Sequence, residues 1–179
     1  MLILRRKSSG LTLVEIMIAL VVFSILIAMG LPSFAAWMQN VRIRTAAEGV
    51  LNGLQYARTE AVRRNTTVEF SLSGTGAGWT VQIPNVAPAL QTRDDSEGGA
   101  AITLSPQTTG GGVTTKATFN GLGSVMDNDD GSAHFDQVGV TSSISSGSEI
   151  RNLRISIGTG GSIKMCDPAV AAGDPRACA

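Results

Sequence analysis

The sequence predicts an α+β protein in which one long N-terminal helix packs, over its second half, on an antiparallel β-sheet domain. Three observations carry that expectation. Residues 16–41 hold no charged side chain. Past Trp37 the pattern turns amphipathic, with Ala47, Val50, Leu51, Leu54 and Ala61 recurring at helical spacing. Beyond Asn65 the chain changes to short alternating, β-branched segments separated by Gly- and Ser-rich turns.

The first half of the helix is "IMIALVVFSILIAMGLPSFAAWM", residues 16–38. At about 1.5 Å per residue such a helix is roughly 34 Å long, enough to cross a bilayer. The ten residues at the start, MLILRRKSSG, carry Arg5, Arg6 and Lys7, and this basic end is expected to stay cytoplasmic. A secretory signal peptide would have a shorter apolar core ending at a small-residue cleavage site. Here the apolar run is longer and feeds directly into a helical pattern. A plain membrane anchor leaves Glu15 unexplained, because a carboxylate at bilayer depth costs about 2.5–3.5 kcal/mol, unless it snorkels from near the helix end. Gly30 and Pro32 form an expected helix break. Proline withdraws a backbone donor and crowds the preceding turn, so a bend or local melting is expected there.

The second half of the helix is expected to run to about Arg64, with Glu48, Asn52, Gln55, Thr59 and Arg63 away from the sheet. Arg58, Arg63 and Arg64 read as a solvated face with cations well placed at a helix C-terminus. Segments 65–72 and 78–84 alternate and look like a hairpin across "SGTGAG". Segments 101–106, 115–125, 150–158 and 161–166 supply further strands, the last two flanking "TGG". Stretches 84–100 and 126–149 read as loops.

Composition narrows the function. The 179 residues include 14 basic and 14 acidic side chains, 21 glycines and 4% aromatics. Zero net charge gives no hint of a general nucleic-acid binder. No nucleophile, base and orienting acid are arranged for catalysis. His134 reads as a surface loop histidine. "DNDDGS" (127–132) places Asp127, Asp129 and Asp130 together, but it lacks the alternate acidic positions and distal glutamate of a calcium loop, so an acidic turn is expected. No metal and no cofactor are expected. Cys166 and Cys178, one pair near the C-terminus of an exported chain, read as a disulfide; two buried free thiols are the alternative.

Two sets of residues carry a resemblance to a known family. "KSSG" followed by "LTLVE" resembles a type IV prepilin leader: a short basic peptide, Gly10, an apolar Leu11, and a glutamate five positions past the cut. The resemblance implies cleavage between Gly10 and Leu11 and N-methylation of Leu11. It also implies a docking role for Glu15, pairing with the α-amino group of a neighbouring subunit and setting register in a filament. A buried carboxylate needs such a cation partner, and buried polar groups fix register in coiled coils. More narrowly, "LQYARTEAVRRNTTVEF" (54–70), "ATFNGLGSV" (117–125) and "GGSIKMCDP" with "DPRACA" (160–168, 174–179) resemble the FimT/FimU–GspH family of minor type IV pilins and type II secretion protein H.

That resemblance implies a type IV pilin-like fold in three parts: a leader at 1–10, a transmembrane and filament-core helix at 11–38, and a periplasmic globular domain at 39–179. It implies a non-catalytic minor pilin that helps prime or assemble a type IV pilus. Its partners would be other pilins or pseudopilins, the prepilin peptidase and an inner-membrane assembly platform. The alternative is pseudopilin H of a type II secretion system. A second alternative is a DNA-binding pilin of natural transformation, which uses a Gly-Arg-x-Arg motif. The matching positions here are Gly161-Ser162-Ile163-Lys164, leaving Lys164 and Arg176 as candidate weak DNA contacts, and nucleic acid is not expected as a partner. The location implied is the inner membrane, crossed once, with the C-terminal domain periplasmic.

Overall fold

The computed structural model describes residues 10–74, 76–98, 101–144 and 149–178. The basic leader residues Arg5, Arg6 and Lys7 lie outside them. The chain forms two units, Met1–Trp37 and Met38–Ala179. Helix α1, Leu13–Arg64, contributes to both.

In the first unit the helix is exposed on every side. Leu13, Val14, Met17, Ile18, Leu20, Val21 and Phe23 all present their side chains outward. Among the described residues this is one helix long and apolar enough to cross a membrane. The backbone stays helical at Gly30 and Pro32, so the local melting expected there does not occur. A single proline removes one donor, and the apolar helix formers on either side keep the remaining ladder.

In the second unit α1 presents a buried stripe of Ile43, Ala46, Ala47, Val50, Leu54, Ala57 and Ala61. The expected stripe matches this except at Leu51, which is half-buried at its margin. Small residues bring the helix close to the sheet. A side chain at Gly53 would sit 2.7 Å from the Phe70 ring and 2.8 Å from the Trp79 ring. The helix closes with Asn65 at φ 49, while the Thr66 N–H bonds Ala61 O at 3.2 Å and the Asn65 N–H bonds Val62 O at 3.3 Å. This pair of bonds satisfies the last carbonyls, and asparagine tolerates the left-handed position.

Arg63 and Arg64 are not simply solvated: both reach Glu60, each at 2.7 Å. Their hydrogen bonds hold the Glu60 carboxyl down at about 2, against a usual value of 4.5. A depressed carboxyl stabilises the fold above its unfolded pKa, and that contribution is lost as pH falls through the folded value. Thermal melts should therefore show Glu60→Gln less stable than wild type at neutral pH. The gap should close between pH 4.5 and about 2. A gap that persists unchanged at the acid end would contradict this.

Among the described residues nine strands follow. They are β1 (Val68–Leu72), β2 (Trp79–Gln82), β3 (Gln91–Arg93), β4 (Ile102–Gln107), β5 (Lys116–Phe119), β6 (Val125–Met126), β7 (Gln137–Ser142), β8 (Leu153–Ile157) and β9 (Ile163–Cys166). They form two antiparallel sheets, ordered β3-β2-β1-β5-β6 and β4-β7-β8-β9. The expected β1–β2 hairpin is present, with Phe70 opposite Val81. Residues 115–125 fold as two strands, β5 and β6, around a turn.

Two expected loops contain strands. Segment 84–100 holds β3, and segment 126–149 holds β7, an inner strand of the second sheet. β7 offers two buried side chains, Val138 and Val140, around Gly139, so its alternation is short and masked by Ser and Thr. Phe70, Phe119, Phe135, Ile155, Val138 and Val140 meet the helix stripe in one core.

Candidate functional site

At the N-terminal end, Gly10 and Leu11 are exposed and precede the helix; among the described residues nothing lies within 4 Å of where a Gly10 side chain would be. Thr12 stands at the N-cap position, and its Oγ1 accepts the Glu15 N–H at 3.2 Å. Thr12 and Glu15 thus form the Thr-x-x-Glu spacing of a capping box, which sets the first turn and places an acid where the helix dipole favours one. The sequence reading singled out Glu15 and missed Thr12, although the four-residue pattern was legible. Glu15 is exposed, and among the described residues no cation pairs with it. Any cation for that carboxylate has to come from elsewhere. Gly30 is exposed, with open space around it.

At the other end of the chain, Cys166 and Cys178 are bonded, with Cα atoms 5.0 Å apart. The loop they close is held by a parallel bridge between Asp167 and Ala177, and the Asp167 N–H bonds Arg176 O at 2.8 Å. Closing a loop of this size removes denatured-state entropy equivalent to about 3 kcal/mol. The Cys166→Ser/Cys178→Ser protein should accordingly melt roughly 6–12 °C lower. An unchanged melting temperature would show that the clasp adds nothing to the fold.

The candidate DNA contacts do not converge. Lys164 is exposed on β9, one residue away from the inward Ile163 and Met165. Arg176 is engaged by Asp174 at 2.9 Å, and this partner holds the Asp174 carboxyl down at about 2. The acidic turn is likewise divided among separate partners. Asp129 accepts from Asn85 at 2.8 Å, and Asp130 accepts from Lys116 at 3.1 Å and from Ser132. Asp127 lies 3.9 Å from His134. Among the described residues no three His, Cys, Asp or Glu side chains converge as metal ligands. His134 lies in a loop, as expected, but is part-buried rather than at the surface: its side chain is 20% exposed, and Nε2 lies 3.2 Å from Asp136.

One junction joins all three segments that carried the narrower resemblance. Arg58, on α1, donates through Nε to Gly123 O at 2.9 Å. Gly123 closes the β5–β6 turn at φ +79, where Asn120 Oδ1 accepts from the Leu122 and Ser124 N–H groups. Gly161, in the β8–β9 hairpin at φ +74, is buried against the same carbonyl. Helix end, mid-domain turn and last hairpin therefore meet at one backbone oxygen. The glycine that opens the Gly-Arg-x-Arg-like tetrapeptide thus has a steric role.

Comparison with known proteins agrees with this architecture. A family model for the type II transport protein GspH matches residues 46–176. A second, for the prokaryotic N-terminal methylation motif, matches residues 5–31. Two crystal forms of the type IV minor pilin FimU of Pseudomonas aeruginosa share the fold. One gives a TM-score of 0.54 at 18% identity, covering 76% of this chain and 97% of that one. The other gives 0.51 at 19%, covering 73% and 97%. No curated protein matches the sequence.

Proposed function

We propose that this chain, which belongs to the GspH family of type II transport proteins and carries the N-terminal methylation motif, is a minor pilin that helps prime and assemble a type IV pilus. The observation that carries this reading is the helix exposed along residues 13–31, uncharged there but for a single carboxylate, Glu15, in its first turn. Such a surface is stable in two settings, a bilayer and a bundle of like helices. A chain that moves from the first to the second is a subunit of a fibre assembled from the membrane.

In this reading residues 1–10 are a leader, 11–38 the membrane and filament-core segment, and 39–179 the periplasmic domain. The peptidase cuts after Gly10, Leu11 is methylated, and Glu15 docks on a neighbour's new amino group. Gly30 and Pro32 are the point at which the segment adapts to its neighbours in the fibre. The partners are other pilins, the prepilin peptidase and the inner-membrane assembly platform. The protein does no chemistry of its own: its work is packing and register.

The alternative is pseudopilin H of a type II secretion system, which would use the same parts in a secretion fibre. The disulfide clasp leans toward the pilus. Deleting the gene separates the two, since loss of pili with secretion intact supports the first and the reverse supports the second.

Processing is tested by intact mass of the membrane-extracted chain. The expected species starts at Leu11 and is one methyl group heavier than the bare 11–179 chain. An intact N-terminus, or a cut beyond Ala28, would overturn the prepilin reading.

A further inference from the structure

Within the second unit, α1 at Asn40 and Arg44, the start of β8, and the disulfide loop line an open pocket of about 380 Å³. Its walls are fixed in place. Asn40 Nδ2 donates to Glu149 O and its Oδ1 accepts the Arg151 N–H, both at 2.8 Å. The disulfide and the Asp167–Arg176 backbone bond hold the facing side. A preformed cavity binds without the cost of ordering its walls.

Three arginines line it, Arg44, Arg151 and Arg176. Among the described residues Arg44 bonds through Nε, to Glu48, and Arg176 through Nε and Nη2, to Asp174, which leaves terminal nitrogens of both for a ligand. The Arg151 side chain has no partner among the described residues. The one carboxylate in the lining, Asp167, is 8% exposed and accepts the Ala169 N–H. Leu153 and Met165 supply apolar surface beside the cations. Guanidinium groups favour phosphate and carboxylate oxygens, and the apolar surface favours an anion that carries hydrocarbon next to its charge.

Position along the chain narrows the class. Asn40 and Arg44 come two and six residues after Met38, where the apolar segment ends. At about 1.5 Å per residue that is roughly 3 and 9 Å along the helix, which is headgroup depth when the segment lies in a bilayer.

We infer that this cavity is a phosphate-anion site occupied by the headgroup of an anionic phospholipid. The inference rests on the membrane reading of residues 11–38. The three arginines hold the phosphate, and Leu153 and Met165 meet the glycerol and first acyl carbons. The bound lipid tethers the domain to the membrane surface, and it is released when assembly withdraws the helix. A pocket of this size holds one anionic group; a nucleic-acid strand needs a continuous track of cations.

The test uses the full chain in phosphatidylcholine vesicles, with and without phosphatidylglycerol, read by amide hydrogen exchange. With phosphatidylglycerol, exchange at 149–153 and 174–178 should slow about tenfold. Arg151→Gln should abolish the effect, while Arg42→Gln, which removes a nearby cation outside the cavity, should leave it. Equal exchange in both vesicles, or equal loss in both variants, overturns the site. Protection by free glycerophosphate in phosphatidylcholine vesicles, with none from phosphatidylglycerol, keeps the phosphate site and overturns the lipid. Stronger protection by a DNA oligonucleotide than by either overturns both. A chain that fails to float with any vesicle refutes the membrane reading itself, a separate result.

Discussion

Gly161→Ala is expected to destabilise the globular domain by about 4 kcal/mol, lowering its melting temperature by roughly 8–16 °C. Two effects add. An alanine held at φ +74 is in the left-handed region, which costs about 1–2 kcal/mol for a residue with a Cβ. The new carbon would lie 1.9 Å from Gly123 O, far inside contact distance, so backbone must move. Moving the Gly123 carbonyl breaks its 2.9 Å bond from Arg58, and losing a part-buried bond to a charged donor costs about 1.5–3 kcal/mol more. A control separates these parts. Arg58→Met keeps the aliphatic stem and removes the donor, so it should cost only the hydrogen-bond share. In the Arg58→Met background the further loss from Gly161→Ala should shrink by about that amount, because the two changes act on one carbonyl. Thermal melts of the four proteins would decide it. A Gly161→Ala protein that melts with the wild type would mean that the junction yields freely.

This junction marks the limit of what the sequence made legible. The long helix was readable because 26 uncharged residues and a helical stripe each leave a strong periodic trace. The β1–β2 hairpin was readable because Val68, Phe70 and Leu72 alternate beside a Gly-rich turn. β7 left no such trace: Val138 and Val140 flank a glycine, and the strand is recognised only once Leu104 and Ile155 are seen on either side of it. β3 has no apolar residue at all and exists as an edge paired to β2. Glu15 could be picked out as an isolated charge, whereas Thr12 passed as an ordinary residue until its hydroxyl was seen on the Glu15 N–H. Arg58, Gly123 and Gly161 are far apart in sequence, and no local pattern predicts that they share an atom. Local periodicity is written in the chain; long-range convergence on one backbone group is a product of the packed fold.

Glu15→Ala is expected to leave cleavage and membrane insertion intact and to reduce incorporation into fibres more than a hundredfold. The substitution removes a charge from a segment proposed to lie in lipid, so insertion should become easier, by up to about 2.5–3.5 kcal/mol. In the proposed fibre the effect reverses. There the carboxylate faces a neighbour's α-amino group in a helix bundle. Removing one partner of a buried pair costs about 3–5 kcal/mol, and about 1.4 kcal/mol corresponds to a factor of ten. A local explanation competes, since Glu15 also sits at the N3 position of the capping box and complements the helix N-terminus. Thr12→Ala tells them apart. It removes the hydroxyl that accepts the Glu15 N–H, at a cost of about 1 kcal/mol to the helix start, and leaves the carboxylate in place. If Glu15 acts through docking, Thr12→Ala chains should enter fibres at nearly wild-type levels while Glu15→Ala chains do not. Glu15→Gln, which keeps the shape and loses the charge, should fail like alanine. Quantifying each variant in sheared fibres and in membranes, in a strain that makes no wild-type copy, measures both steps. Equal failure of Thr12→Ala and Glu15→Ala would assign Glu15 to the helix start and remove it from the subunit interface.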